Sequence, residues 1–155
     1  MKRSIFIAIL FISFCVFAAN RVNAQTVSGS IGNGTVTRGA KARGSIVMTI
    51  PEGLHVNSSR PLSEYAIPTV VSVRGSGVKV SGITYPRGRN RRFQFSENLI
   101  NVYEGRINFP FNVTVPAGFR GKMIRVTATV RYQACTEEVC YPPKTKAVMM
   151  TARVN

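Results

Sequence analysis

The sequence predicts an all-β protein, an immunoglobulin-like antiparallel β-sandwich of two sheets. Several segments alternate apolar and polar residues with a period of two, as half-buried strands do. After residue 24, no apolar pattern with the 3.6-residue period of a helix persists over more than about ten residues. Turns rich in Gly and Pro separate roughly seven or eight predicted strands, which suits one sandwich domain of about 130 residues.

The first 24 residues have the three parts of a secretory signal. Lys2 and Arg3 precede an apolar run over residues 5–19, and Val22-Asn23-Ala24 forms a small-residue cleavage site. A membrane-spanning helix needs about 20 apolar residues, more than this run provides. We therefore expect export with cleavage after Ala24, loss of Cys15 with the signal, and a single domain over residues 25–155 with no transmembrane segment.

The predicted mature chain is strongly basic. Of the 21 Lys and Arg residues, three precede residue 25, so 18 remain against 6 Glu and the net charge is +12. This excess favours anionic partners such as lipid headgroups, acidic polymers or acidic proteins. Nucleic acid is not expected as a partner, because the chain is exported. The densest basic run, residues 87–92, is interpreted as a solvated loop rather than a binding patch.

The residue types limit the chemistry. The chain has one His (His55), no Asp and no GxSxG motif, so a hydrolase mechanism has little support. It also has no CxxC pair, which argues against a zinc site. Neither a metal nor another cofactor is predicted.

The first half of the domain begins irregularly. Residues 25–40 form either a loose segment or an edge strand. Ile46, Met48 and Ile50 then alternate with polar and smaller residues, as a half-buried strand requires. Residues 54–57 predict a short strand that places His55 and Asn57 on the same side.

The middle of the chain predicts a hairpin followed by a basic loop. Residues 69–74 and 78–84 are rich in β-branched residues and flank Gly75-Ser76-Gly77. Phe93 and Phe95 follow the basic loop two positions apart. They either belong to the core or cover something near the surface.

The last third contains the clearest strands. Residues 106–115 alternate throughout, with Pro110 on the outward side, which indicates an edge strand or a bulge. Residues 124–132 alternate with the even positions inward, and residues 144–154 form a further strand.

Cys135 and Cys140 are separated by four residues and can face each other across a hairpin. If the preceding strand continues, Cys135 lies on the outward face, unless a bulge at Gln133-Ala134 reverses the register. The bond is either a structural staple worth about 2 kcal/mol or a redox pair, which needs a thiolate, an exposed sulfur and a resolving thiol. The abundant Arg and Lys favour a thiolate if any of them lies close, whereas Glu137 and Glu138 in the loop oppose it.

The cysteine hairpin resembles the active-site hairpin of the N-terminal periplasmic domain of DsbD-type thiol:disulfide interchange proteins. The matching residues are Tyr132-Gln133-Ala134-Cys135 and Cys140-Tyr141-Pro142-Pro143-Lys144-Thr145. Four upstream segments fall in the order that this family shows: Gly53-Leu54-His55-Val56-Asn57, Ile67-Pro68-Thr69, Tyr85-Pro86-Arg87-Gly88 and Val102-Tyr103-Glu104-Gly105.

The resemblance implies a periplasmic protein whose Cys135/Cys140 pair transfers electrons. The donor would be a thioredoxin-like protein or a membrane electron-transfer protein, and the acceptors would be oxidised envelope proteins. Since the chain ends after the sandwich, we expect its reductant to be another polypeptide.

The resemblance also assigns site residues. Cys140 is the expected attacking thiol, Phe95 the best match to the family's aromatic cap, and Phe93 the next. The expected site-lining residues are His55, Asn57, Tyr132 and Tyr141. From the residues alone, a satisfied or exposed histidine is the simpler interpretation of His55.

Two alternatives remain at this point. The chain is either a non-enzymatic binding sandwich whose disulfide stiffens a hairpin and whose basic surface meets an anionic partner, or a sensor of oxidation that passes no electrons onward.

Overall fold

The computed structural model describes residues 24–155, and all regular elements in this range are β-strands. The predicted signal segment, except Ala24, lies outside the described residues, as does Cys15. The strands in chain order are β1 Thr26–Ile31, β2 Thr35–Val36, β3 Lys41–Thr49, β4 His55–Asn57, β5 Val70–Gly75, β6 Lys79–Ser81, β7 Arg89–Arg91, β8 Ile100–Tyr103, β9 Arg106–Thr114, β10 Met123–Tyr132, β11 Ala134–Cys135 and β12 Lys144–Val154.

Twelve strands form three four-stranded sheets. Sheet A has the order β1-β3-β9-β6, sheet B the order β2-β12-β10-β5, and sheet C the order β11-β4-β8-β7. Sheets A and B are the two layers of the predicted immunoglobulin-like sandwich, which is confirmed. All pairs are antiparallel except the short contact of β2 with β12, which is parallel. The small sheet C was not expected, and it contains Cys135.

The core lies between sheets A and B because their long strands alternate as predicted. Side chains buried in it include Ile46 and Met48 from β3, Phe109 and Phe111 from β9, and Ile124, Val126, Ala128 and Val130 from β10. Gly44 leaves room for the Phe111 ring, which a Cβ at that position would overlap. The predicted strands over residues 46–50, 106–115, 124–132 and 144–154 are all present.

Residues 26–31 form an edge strand of sheet A, which decides between the two alternatives for that segment. Pro110 lies in β9, an inner strand, but β6 pairs only with Asn112–Thr114. Beyond the end of β6, the Pro110 carbonyl accepts a hydrogen bond from the Thr84 N–H at 2.9 Å. The proline therefore occupies a stretch where β9 is locally an edge, as its missing N–H requires.

The predicted hairpin around Gly75-Ser76-Gly77 is wrong. β5 pairs with β10 in sheet B, whereas β6 pairs with β9 in sheet A. The glycine turn therefore carries the chain from one layer of the sandwich to the other. Val71 and Val80 pack into the same core from opposite layers.

No helix in residues 24–155 is long and apolar enough to cross a membrane.

Candidate functional site

The chain changes sheets immediately before the first cysteine. β10 ends at Tyr132 in sheet B, and β11 begins at Ala134 in sheet C, so Gln133 interrupts the alternation. Ala134 then pairs with Val56, and Cys135 pairs with His55. As a result Cys135 is 0% exposed. The expected outward position of Cys135 is wrong, and the reversal of register near Gln133-Ala134, which the sequence left open, is what occurs.

Cys135 and Cys140 form a disulfide that closes a tight turn. The Thr136 N–H donates to the Val139 carbonyl at 2.8 Å, and the Thr136 Oγ1 accepts from the N–H groups of Glu138 and Val139. After the turn, the Tyr141 N–H donates to the Ala134 carbonyl at 2.8 Å. Cys140 is exposed, in contrast to Cys135. Of the two cysteines, only Cys140 is therefore accessible to a partner protein.

Three rings stack beside the pair. The ring centroids of His55 and Phe93 lie 4.1 Å apart, and those of Phe93 and Phe95 lie 5.2 Å apart, with nearly parallel planes in both cases. Phe93 is 3% exposed and packs with Ile100 and Val102 in a small second core, whereas Phe95 is 40% exposed. The two phenylalanines therefore differ in environment: Phe93 belongs to a buried cluster, whereas Phe95 is partly exposed.

Cys140 lines a cavity of about 170 Å³ together with Phe95. Asn57, Gln133, Ile100 and Tyr65 form other parts of its wall. The accessible half of the disulfide therefore lies in a small recess with an aromatic side chain in its wall.

A buried amide network fixes the base of this recess. The Asn57 Nδ2 donates to the Ile67 carbonyl and to the Gln133 Oε1, each at 3.1 Å. The Gln133 Oε1 also accepts from the Ile67 N–H at 3.3 Å. The Gln133 side chain, between β10 and β11, thus connects Asn57 and Ile67 by hydrogen bonds. This role was not predicted, although Gln133 lies in the Tyr132-Gln133-Ala134-Cys135 motif.

Arg91 is the second residue that the sequence analysis missed. It belongs to the basic run predicted to be a solvated loop, but it lies in β7 and forms salt bridges with Glu104 and, at 3.0 Å, with Glu137. Its guanidinium carbon lies 5.7 Å from the Phe93 ring centroid. One of the two carboxylates of the cysteine turn is therefore paired with a cation. The sequence feature that could have indicated this salt bridge is the opposite charge of the basic run over residues 87–92 and of Glu137-Glu138.

His55 is neither exposed nor fully hydrogen-bonded, so neither simple interpretation of this residue is correct. It is 2% exposed, and its Nε2 has no hydrogen-bond partner within residues 24–155. Burial lowers the pKa of His55 below its ordinary value of 6.5, Arg91 acts in the same direction, and Glu137 and Glu104 oppose them. Burial therefore favours the neutral imidazole.

Six of the predicted site residues come together: Cys135, Cys140, His55, Asn57, Phe93 and Phe95. Tyr132 instead packs in the main core, where its hydroxyl donates to the Gln25 Oε1 at 3.3 Å and burial raises its pKa. Tyr141 is exposed and lines a different small cavity with Pro142. In the part of the chain that the structure describes, no three His, Cys, Asp or Glu side chains could together hold a metal ion.

Comparisons with known proteins show the family and the fold. The family profile described as "Thiol:disulfide interchange protein DsbD, N-terminal" matches residues 32–152. The N-terminal periplasmic domain of ScsB from Proteus mirabilis has a similar fold, with a TM-score of 0.56 at 9% identity over 82% of this chain. This chain spans 46% of that ScsB chain.

A second solved structure, the sporulation control protein Spo0M from Bacillus subtilis, matches with a TM-score of 0.42 at 10% identity over 86% of this chain and 50% of that one. No curated protein matches the sequence. Because the family profile covers most of its length, the chain belongs to the family of DsbD N-terminal domains of thiol:disulfide interchange proteins.

Proposed function

We propose that the chain is an exported, periplasmic thiol:disulfide interchange protein. Its Cys135/Cys140 pair would carry two electrons from a thioredoxin-like or membrane-bound donor to oxidised envelope proteins, after removal of residues 1–24. The observation that carries this proposal is the asymmetry of the disulfide: Cys135 is buried, whereas Cys140 is exposed beside Phe95. A staple has no need of this asymmetry, but directional exchange does.

Exchange through this pair begins at Cys140. A donor thiolate attacks the Cys140 Sγ, the Cys135–Cys140 bond breaks, and Cys135 leaves as the thiolate. The second donor thiol then attacks the donor sulfur of the mixed disulfide and releases Cys140, so the donor becomes a disulfide and the pair a dithiol. The acceptor reaction is the reverse: Cys140 attacks a substrate disulfide and Cys135 resolves the intermediate.

Trapping of the mixed disulfide tests this order. In Cys135→Ser the attacking thiol remains but the resolving thiol is lost. The partner is a thioredoxin-like protein that retains only its attacking cysteine, activated as a disulfide with an aromatic thiol. We expect the two proteins to form a stable mixed disulfide through Cys140. Cys140→Ser is the matched control, and its buried thiol is expected to react at least about tenfold more slowly. Equal trapping by both variants, or none by either, would contradict the proposal.

One observation favours a second candidate, a binding protein for an anionic partner. The outer face of sheet B presents four exposed arginines, Arg74, Arg125, Arg131 and Arg153, and the strands of this sheet contain no Glu. Within residues 24–155, the salt bridges are confined to Arg91. Such an unneutralised face attracts anionic surfaces in a salt-dependent manner.

Binding to vesicles that contain an anionic phospholipid separates the two candidates. If binding is the function, it persists when both cysteines are replaced by Ser, is lost in Arg125→Gln/Arg131→Gln, and survives Lys41→Gln/Arg43→Gln on sheet A. If the binding is weak and equally reduced by both pairs of substitutions, the sheet B face has no specific role.

A further inference from the structure

His55 and Cys135 are direct cross-strand partners in the antiparallel pair of β4 with β11. Opposed residues of such a pair point to the same face of the sheet, with their Cβ atoms about 4.5–5.5 Å apart. His55 is 2% exposed and Cys135 is 0% exposed. The imidazole and the Cys135 side chain therefore lie on the same buried face of sheet C.

The His55 Nε2 is the one buried side-chain nitrogen or oxygen in residues 24–155 that lacks a hydrogen-bond partner. Buried polar atoms are nearly always paired, so an orphan of this kind needs an explanation. In the disulfide state the Cys135 sulfur has no proton to donate and no charge to attract a donor. Reduction gives this sulfur either a proton that it can donate or a negative charge that attracts a donor.

Reduction requires a negative charge or a proton at Cys135. The sulfur departs as a thiolate in a position without solvent, where burial disfavours the charged form. The charged groups around His55 are Arg91, Glu104 and Glu137, and Arg91 is already engaged with both carboxylates. The unpartnered imidazole opposite the sulfur is the group free to respond.

We propose that the His55 Nε2 is the acid–base partner of the Cys135 sulfur, and that the two share one proton when the disulfide is reduced. This inference rests on the proposed function and adds a residue to its chemistry. On reduction, the donor's two thiols become one disulfide and the Cys135–Cys140 bond takes up their two electrons. One of the two protons goes to Cys140, or to solvent at a pH where Cys140 is a thiolate, and the other to the Cys135–His55 pair. In the reverse direction, His55 takes the proton from Cys135 as this thiol becomes the resolving nucleophile.

His55 is the only histidine in the sequence, so its ring can be followed by NMR without assignment. The test compares untagged Cys140→Ala, which keeps the Cys135 thiol, with Cys135→Ala, which removes it; neither can form the disulfide. We expect the His55 pKa to be higher by about 1 pH unit or more in Cys140→Ala, as an adjacent thiolate would produce. Wild-type protein should show the same difference between its reduced and oxidised states.

Identical His55 titrations in the two variants, and in the two redox states of the wild type, would overturn the inference. His55→Phe provides an independent readout because it keeps a ring against Phe93 but removes both nitrogens. The equilibrium of this variant with dithiothreitol is expected to shift about tenfold or more towards the disulfide, from loss of a hydrogen bond to a charged group. An unchanged equilibrium in a folded His55→Phe protein would also overturn it.

These experiments use no biological donor. If His55 responds to Cys135 but no thioredoxin-like protein exchanges with Cys140, the proposed function fails and the acid–base pair stands. If a thioredoxin-like protein exchanges with Cys140 but the His55 pKa does not respond to Cys135, the acid–base pair fails and the proposed function stands.

Discussion

Phe93 and Phe95 are two positions apart but occupy different environments. Phe93 is almost completely buried between His55 and Phe95, so Phe93→Ala is expected to lower the free energy of unfolding by about 3 kcal/mol or more. Phe95 is partly exposed in the cavity wall that contains Cys140. Phe95→Ala is therefore expected to cost less than about 1 kcal/mol and to speed reduction by dithiothreitol several-fold.

Urea unfolding and the rate of reduction by dithiothreitol measure the two effects. Phe95→Leu is the matched control because it keeps an apolar cover, and its rate should stay near that of the wild type. If Phe95→Ala is reduced no faster than wild type, Phe95 does not shield the disulfide.

The lowered pKa of His55 predicts a pH dependence of stability. The unfolded chain binds a proton near pH 6.5, whereas folded His55 binds it only at lower pH. Between these two pKa values the unfolded state holds more protons, so stability falls as the pH drops through 6.5 towards the lower pKa of folded His55. Urea unfolding of the oxidised protein at pH 7.5 and 5.5 should show this loss, and His55→Phe should show a smaller one. Equal losses would mean that His55 is not responsible.

At the residue scale, the sequence motif located most of the site but not its geometry. The cysteine pair followed from the residues and their spacing, and the roles of His55, Asn57 and Phe95 followed from the resemblance; the structure places all five residues together. The sequence left open whether a bulge at Gln133-Ala134 reverses the register. The burial of Cys135 shows that it does, because one residue between β10 and β11, Gln133, is enough to invert the side-chain alternation. Tyr132 follows the alternation of β10 into the core, although it stands only three positions before Cys135.

The cysteine turn is coupled to β7 through the salt bridge of Arg91 with Glu137. Both side chains are partly exposed, so Arg91→Gln is expected to change stability by less than about 1 kcal/mol. Its effect on chemistry should be larger, since the substitution leaves the Glu137 carboxylate unpaired in the cysteine turn, where it opposes a second negative charge. We expect alkylation of Cys140 in the reduced protein to slow at pH 7, and its pH profile to move upward.

Glu137→Gln should move the alkylation profile in the opposite direction, and the double variant should lie close to Glu137→Gln. Glu138→Gln is the matched control, because Glu138 lies in the same turn without this salt bridge. Alkylation profiles that coincide for all four variants would show that the ion pair does not influence Cys140.

At the element scale, alternation identified the long strands because each has one face in a common core. It did not say which sheet a strand joins. Gly75-Ser76-Gly77 is equally suited to a hairpin and to a crossing between layers, and only the pairing of β5 with β10 and of β6 with β9 decides. β2, β7 and β11 have two or three residues each, too few to show a period.

At the scale of the whole molecule, we expect the sandwich to stay folded without the disulfide. The main core lies between sheets A and B, and the bond closes a turn of only four residues in sheet C. Reduction is therefore expected to lower the free energy of unfolding by about 2 kcal/mol without unfolding the domain. Urea unfolding of both redox states, followed by circular dichroism, measures this. Loss of the β-sheet spectrum on reduction would mark the bond as structural.

The reduction potential of the Cys135–Cys140 pair shows whether this disulfide can carry electrons between proteins. Purified mature protein is equilibrated in glutathione or dithiothreitol buffers, and the free thiols are trapped and counted. A redox carrier with an accessible Cys140 is expected to have a potential of about −200 to −270 mV, within the range of catalytic exchange proteins. A value well below about −300 mV, typical of structural disulfides, would contradict the account.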